Sequence, residues 1–179
     1  AIRKDRATFT VERLLRPQVP EPDLWLLFAP LKRDATDLVV EKATELGVSM
    51  LQPVLTQRTN SARLNPERLR AIATEAAEQC ERLTVPRMAD PLPLPHLLAA
   101  WPLGRKLIAA IERHAAPPPR PVGGPTALLI GPEGGLTPAE VELLRRHADL
   151  QPVSLGPRIL RAETACIAAL LTMMPQERV

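Results

Sequence analysis

The sequence predicts an α/β fold, a mostly parallel sheet flanked by helices. Two observations carry that prediction. Short apolar runs such as Leu24-Trp-Leu-Leu-Phe-Ala29 and Ala127-Leu-Leu-Ile130 alternate with stretches whose apolar residues recur at helical spacing. That is the order of βαβ units, which build parallel sheets. In addition, two glycine-bearing loops near the C-terminus each follow an apolar run and lead into a helix. They are Ala127-Leu-Leu-Ile-Gly-Pro-Glu-Gly-Gly-Leu136 and Pro152-Val-Ser-Leu-Gly-Pro-Arg-Ile-Leu-Arg-Ala-Glu-Thr164. A run cut off by Gly131, Gly134 and Gly135 reads as a buried strand ending in a turn, where a backbone or a ligand comes close because Gly has no Cβ. Such turns are expected side by side at the carboxyl edge of one sheet, where open α/β sheets bind their ligands.

Taken in order, Ala7-Thr-Phe-Thr-Val11 alternates like one strand, and Pro17, Pro20 and Pro22 then form a linker-like break. A single strand cannot stand alone, so residues 1–20 read as the tail of another domain and residues 21–179 as the main one. The strand from Leu24 to Ala29 opens it. A helix over about 33–46 stops at Gly47, and Met50 to Leu55 is the next strand. A polar loop with Arg58, Asn60, Ser61 and Arg63 leads to a helix from about Pro66 to Leu83, with Leu69, Ile72, Ala73, Ala76, Cys80 and Leu83 as its apolar stripe. Residues 84–104, rich in Pro and Leu, read as irregular with one short helix. Strands follow at 106–110, 127–130 and 151–154, with helices at about 138–147 and 163–174. Thr137-Pro-Ala-Glu140 is a helix start with a capping hydroxyl, Pro at the first position and Glu at the third. From Ala165 to Met174 only Thr172 is polar. A helix apolar all round must be buried on more than one side, inside its own domain or at a subunit interface.

The totals narrow the function. With 179 residues the chain holds one domain and a small appendage. It has no Tyr, two Phe and two Trp, too few aromatics for a single-strand stacking platform. It shows no membrane span and no apolar leader, and a cytoplasmic protein is expected. The net charge of +3 sits in residues 1–20, where Arg3, Lys4, Arg6, Arg13 and Arg16 outweigh Asp5 and Glu12. That suits either a polyanion such as nucleic acid or a merely solubilising tail. Cys80 and Cys166 lie on apolar helical faces without a C-x-x-C pair or a histidine at ligand spacing. Both read as buried free thiols, and no metal site is expected.

The GPEGG loop is neither G-x-G-x-x-G nor a Gly-Lys-Ser/Thr cradle, and the chain has no G-x-S-x-G elbow. A triphosphatase, a Rossmann dehydrogenase and an α/β-hydrolase are thereby disfavoured. Any one of these glycines reads as a structural turn, but with a second glycine loop expected on the neighbouring strand the two together read as a ligand site. Glu133, between glycines, could meet a substrate or cap a helix. Arg158 and Arg161 could hold a phosphate or a carbonyl oxygen bidentately, or pair with Glu163 or Glu133. Glu163 and Thr164 also suit the first turn of the last helix. His96, His114 and His147 are scattered and are given no chemistry.

The segment LLIGPEGGLTPAEVELL, followed by PVSLGPRILRAETACIAAL, closely resembles the RsmE family of the SPOUT superfamily. VVEKATELGVSMLQPVLTQRT and EAAEQCERLTVP resemble two further segments of that family, so the likeness extends over most of residues 24–174. Cys80-Glu81 stands where Ser-Gly is common and Leu136 where Phe is common. The resemblance implies an S-adenosylmethionine-dependent methyltransferase acting on N3 of a uridine in bacterial small-subunit (16S) ribosomal RNA. It implies a deep trefoil knot at the C-terminal end, formed by the two loops and the last helix, an exception to the rule against threaded chains. Residues 1–20 would be the remnant of an N-terminal PUA-like RNA-binding domain. Cofactor contacts would come from Leu129, Ile130, Gly131, Gly135, Leu155, Gly156, Ile159, Leu160 and Ala165. The partners implied are small-subunit ribosomal RNA or the 30S subunit, and a second copy through the C-terminal helix, with no metal and no membrane. Arg161 would anchor the nucleotide, and Glu133 or Glu163 would take the N3 proton. The alternatives are a SPOUT methyltransferase acting on another RNA such as transfer RNA, and a non-catalytic RNA-binding module on the same scaffold.

Overall fold

The computed structural model describes residues 2–3, 6–17, 19, 21–60, 63–111 and 116–174. Lys4, Asp5, Pro20, Ser61 and His114, which enter the sequence reading, lie outside them. Two short antiparallel strands, β1 (Ile2–Arg3) and β2 (Arg6–Ala7), come first. The alternation from Ala7 to Val11 does not become a strand. Phe9 and Val11 are more than four-fifths exposed, so no facing layer rewards the alternation.

The main domain is a seven-stranded sheet, all of its recorded pairings parallel. Its elements in chain order are β3 (Leu24–Phe28), α1 (Arg33–Glu45), β4 (Met50–Leu55), α2 (Pro66–Gln79), β5 (Arg87–Met88), β6 (Leu92–Pro93), α3 (Leu94–Ala99), β7 (Lys106–Ala110), β8 (Thr126–Ile130), α4 (Pro138–Arg145), β9 (Leu150–Val153) and α5 (Ala162–Met173). The strand order is β5-β4-β3-β8-β7-β9, with β6 pairing β4. The chain thus builds outward from β3 in one direction, crosses over, and builds the other half around β8. In the register, Phe28 pairs with Ile130, Ile130 with Ala110, and Ala110 with Val153. The carboxyl ends of four strands therefore finish level, forming an edge.

Strand alternation separates two cores. Leu26, Phe28, Leu128 and Ile130 face α1, α2 and α5, where Val39, Val40, Leu69, Ala73, Ala165 and Ala169 meet them. Leu27, Ala127 and Leu129 face α3 and α4, against Leu94, Leu97 and Leu144. Three layers result. At the amino edge, buried Arg105 pairs with Asp23 at 2.7 Å, donates to the Thr126 carbonyl at 3.1 Å and lies 3.6 Å above the Trp25 ring.

Two expectations change. The α2 helix ends at Gln79, so Cys80 becomes its C-cap and is exposed rather than buried, as is Leu83. Past it Glu81 takes φ +61°, and Arg82 turns back to pair with Glu21 and donate to the carbonyls of Thr44 and Val48. In α5, Ala162, Ala165, Cys166, Ala169, Leu170 and Met173 are buried in one stripe, while Leu171 on the other side is 56% exposed. Within one chain the helix is covered on one side only. Among the described residues, no helix is long and apolar enough to cross a membrane.

Candidate functional site

A cavity of about 870 Å³ opens at the carboxyl ends of β7, β8 and β9. Ala110, Ile111, Ile130 and Val153 line its base, and the loops 131–136 and 154–160 form two of its walls. The expectation that these loops follow neighbouring strands is corrected, because β7 lies between β8 and β9. The loops still converge, since all three strands end level and each chain continues over the same edge.

Local geometry explains the glycines. The Gly135 amide donates to the Pro132 carbonyl at 2.8 Å with φ +70°, closing a tight turn. Gly156 has φ +108°, a backbone state that residues bearing a Cβ rarely adopt. A Cβ on Gly131 would stand 3.2 Å from Leu136 Cγ, so the loop folds closely over its own start. The turn then feeds α4 through a complete capping box, with the Thr137 hydroxyl accepting from the Glu140 amide and the Glu140 carboxylate accepting from the Thr137 amide.

The sequence-predicted residues fall into two sets. Ile130, Gly131, Gly135, Leu155, Gly156, Ile159, Leu160 and Ala165 all line the cavity, as do Glu133 and Arg158. Leu129 does not, because alternation along β8 points it into the α3/α4 core. Arg161 is the exposed N-cap residue of α5 and lies outside the lining. Glu163 also lies outside it, in the first turn of α5, with Oε2 buried and unpartnered among the described residues. Burial, reinforced by the Glu163 charge, pushes the Cys166 thiol well above its ordinary range, so that group is inert.

Sequence reasoning missed Arg58, Leu136, Val141, Glu142 and Arg145, which also line the cavity. Val141, Glu142 and Arg145 follow from the α4 helical repeat once its N-terminus is placed at the loop. Arg58 arrives from the loop after β4 and carries no local signal. The result is a pocket apolar at its base, with Arg58, Arg145, Arg158, Glu133 and Glu142 exposed at its rim. Its size and lining suit an organic ligand with one apolar and one charged part. Among the described residues, no group of three His, Cys, Asp or Glu side chains could hold a metal ion.

A family model described as an RNA methyltransferase domain matches residues 19–174. The chain belongs to this family. Within it, the ribosomal RNA small subunit methyltransferase E of Rickettsia conorii is 30% identical over 176 residues, covering 94% of this chain and 71% of that protein. The enzyme of the same name from Bacillus subtilis is 37% identical over 155 residues, covering 78% and 60%. Against these and the Synechocystis relative, this chain spans between 53% and 71% of their length. A crystal structure of ribosomal RNA small subunit methyltransferase E from Neisseria gonorrhoeae bound to S-adenosyl methionine superposes with a TM-score of 0.78 at 32% identity, covering 90% of this chain and 68% of that one. The Aquifex aeolicus TrmH/SpoU tRNA modifying enzyme, at 18% identity and a TM-score of 0.56, shares the fold.

Proposed function

We propose that this chain is the S-adenosylmethionine-dependent methyltransferase domain of an enzyme that methylates N3 of a uridine in small-subunit ribosomal RNA. The observation that carries the reading is the cavity walled by both glycine loops, in a chain whose relatives are named for that reaction class. The residues present fit the cofactor. Glycines at 131, 135 and 156 let backbone amides and carbonyls reach a ligand, and Ile130, Leu155, Ile159 and Leu160 offer apolar cover for a purine. These residues and Ala165 would hold the cofactor, which supplies an electrophilic methyl group on a sulfonium.

The protein's part is alignment, proton handling and exclusion of water. Glu133 lines the cavity and is assigned the N3 proton, ahead of Glu163, whose carboxylate lies outside the lining. Arg158 at the rim and Arg161 just beyond it are assigned to the nucleotide, as anchors for phosphate or a uracil carbonyl. The same proposal includes the trefoil knot of the two loops and α5. It also gives the uncovered side of α5, with Ile167 half-buried and Leu171 exposed, to a second copy of the chain.

The test is transfer of labelled methyl from S-adenosylmethionine to 30S subunits, free 16S RNA and transfer RNA, with the product nucleoside mapped by mass spectrometry. Label at uridine N3 in the small subunit is the expected result. Label only in transfer RNA would reassign the substrate, and label in none would favour a binding module.

A further inference from the structure

The wall of the cavity formed by residues 132–137 is held by a segment far from it in sequence. After β4 the chain makes a turn braced on itself: the Thr56 amide donates to Thr59 Oγ1 at 2.9 Å, and the Thr59 amide to the Thr56 carbonyl at 3.2 Å. Two groups of this turn cross to the glycine loop. The Gln57 amide donates to Glu140 Oε1 at 2.8 Å, and Arg58 Nη1 donates to the Gly134 carbonyl at 2.8 Å. The Arg58 stem lies along the same glycine, with its Cβ 3.4 Å from where a Gly134 Cβ would stand. Glu140 is only 5% exposed, and its other oxygen accepts from the Thr137 amide at 2.8 Å and the Thr137 hydroxyl at 2.9 Å.

A capping-box glutamate ordinarily serves its own helix and stands in solvent. This one is buried and also accepts from a backbone amide of a second loop. We propose that Glu140 and Arg58 form a latch between the 56–59 turn and the 132–137 loop, making both of them positioning residues that hold the cofactor wall in its ligand-receiving shape. The inference rests on the cofactor reading above and adds what fixes that site. The two halves divide the work. Glu140 sets where the 56–59 turn sits, and Arg58, carried by that turn, grips the Gly134 carbonyl. Gly134 and Gly135 give the loop its tight turn and also leave it soft, so an external brace decides which shape it keeps.

The test uses the whole chain and four variants, Arg58→Ala, Arg58→Lys, Glu140→Gln and the double change Arg58→Ala with Glu140→Gln. Two quantities are read: the S-adenosylmethionine Kd by calorimetry, and hydrogen exchange of the Gly135 amide without ligand. Arg58 is exposed and its loss removes one charged hydrogen bond, so global stability falls by about 1–2 kcal/mol and the chain stays folded. Arg58→Ala is expected to raise Kd about tenfold and to speed Gly135 exchange by a similar factor. Arg58→Lys, which still donates to the Gly134 carbonyl, recovers part of both. Glu140→Gln keeps one acceptor oxygen for the Thr137 amide, as a capping-box glutamine does, and sets its NH2 donor against the Gln57 amide, which weakens binding comparably. The double variant is little worse than either single, because both act through one latch.

Unchanged Gly135 exchange in Arg58→Ala overturns the latch, whatever the binding data show. Effects of the two changes that simply multiply in Kd also overturn it. A parent chain that does not bind S-adenosylmethionine, yet shows faster Gly135 exchange in Arg58→Ala, overturns the cofactor reading and leaves the brace standing.

Discussion

Replacing Gly156 with Ala asks whether the second loop needs its backbone shape for binding. A Cβ built there meets no atom within 4 Å, so the change introduces no clash, and φ is +108°. An L-residue held in such a sparsely populated region costs about 1–3 kcal/mol. The less flexible unfolded chain of the Ala variant returns about 0.4–1 kcal/mol. The net cost is about 1–2 kcal/mol, and it can fall in two places. If the loop keeps its shape, the protein loses that much stability in urea unfolding and its S-adenosylmethionine Kd is unchanged. If the loop relaxes to negative φ, stability is kept and Kd rises about tenfold for each 1.4 kcal/mol. The two losses therefore sum to about 1–2 kcal/mol. Gly104→Ala is the control. It too has positive φ, +76°, and open space around the missing Cβ, but it lies just before β7 at the amino edge of the sheet. It is expected to lose stability without loss of affinity. A Gly156→Ala protein as stable and as tightly binding as the parent would refute the reasoning.

Four further outcomes follow from the fold. Glu81→Gly relieves a left-handed residue costing about 1–2 kcal/mol, less the greater freedom of glycine in the unfolded chain, so Tm rises by about 1–4 °C in a thermal melt. Arg105→Ala removes an ion pair, a carbonyl contact and a ring contact at a buried position, and urea unfolding should show about 2–4 kcal/mol less stability, only partly restored by Lys, which cannot fork. Cys80 reacts with a thiol reagent in the native state, and Cys166 only on unfolding. Because the native Cys166 keeps its proton where the unfolded thiol releases one, the unfolded state binds fewer protons at alkaline pH. Stability therefore falls as pH rises past the ordinary thiol value of 9.0, and Cys166→Ala flattens that fall in urea unfolding curves.

What the sequence revealed divides along physical lines. Strands β3, β7 and β8 were legible because each is a near-continuous apolar run, which only a strand buried on both faces needs; β4 was legible from its apolar ends although Gln52 and Pro53 interrupt it. The start of α4 was legible because Thr137, Pro138 and Glu140 are a local code for a helix N-terminus. The two glycine loops marked the site before any pairing was known. The strand order was not legible, and placing the loops on adjacent strands missed β7 between β8 and β9, since crossover order depends on contacts between distant segments. Cys80 was misplaced because periodicity does not mark the last turn of a helix, and Glu81 hid the stop that a glycine would have announced. Arg58 was read only as part of a polar loop, for its role depends on Gly134, a residue far along the chain. The second duty of Glu140 was equally hidden, because a capping box accounts for the residue completely until Gln57 is seen beside it.

Calorimetric titration of the whole chain with S-adenosylmethionine, with S-adenosylhomocysteine and NAD run beside it, tests the central claim most directly. The account predicts one site per chain for the first two ligands and none for NAD. A folded chain that takes up neither S-adenosyl ligand, or that binds NAD equally well, would contradict it.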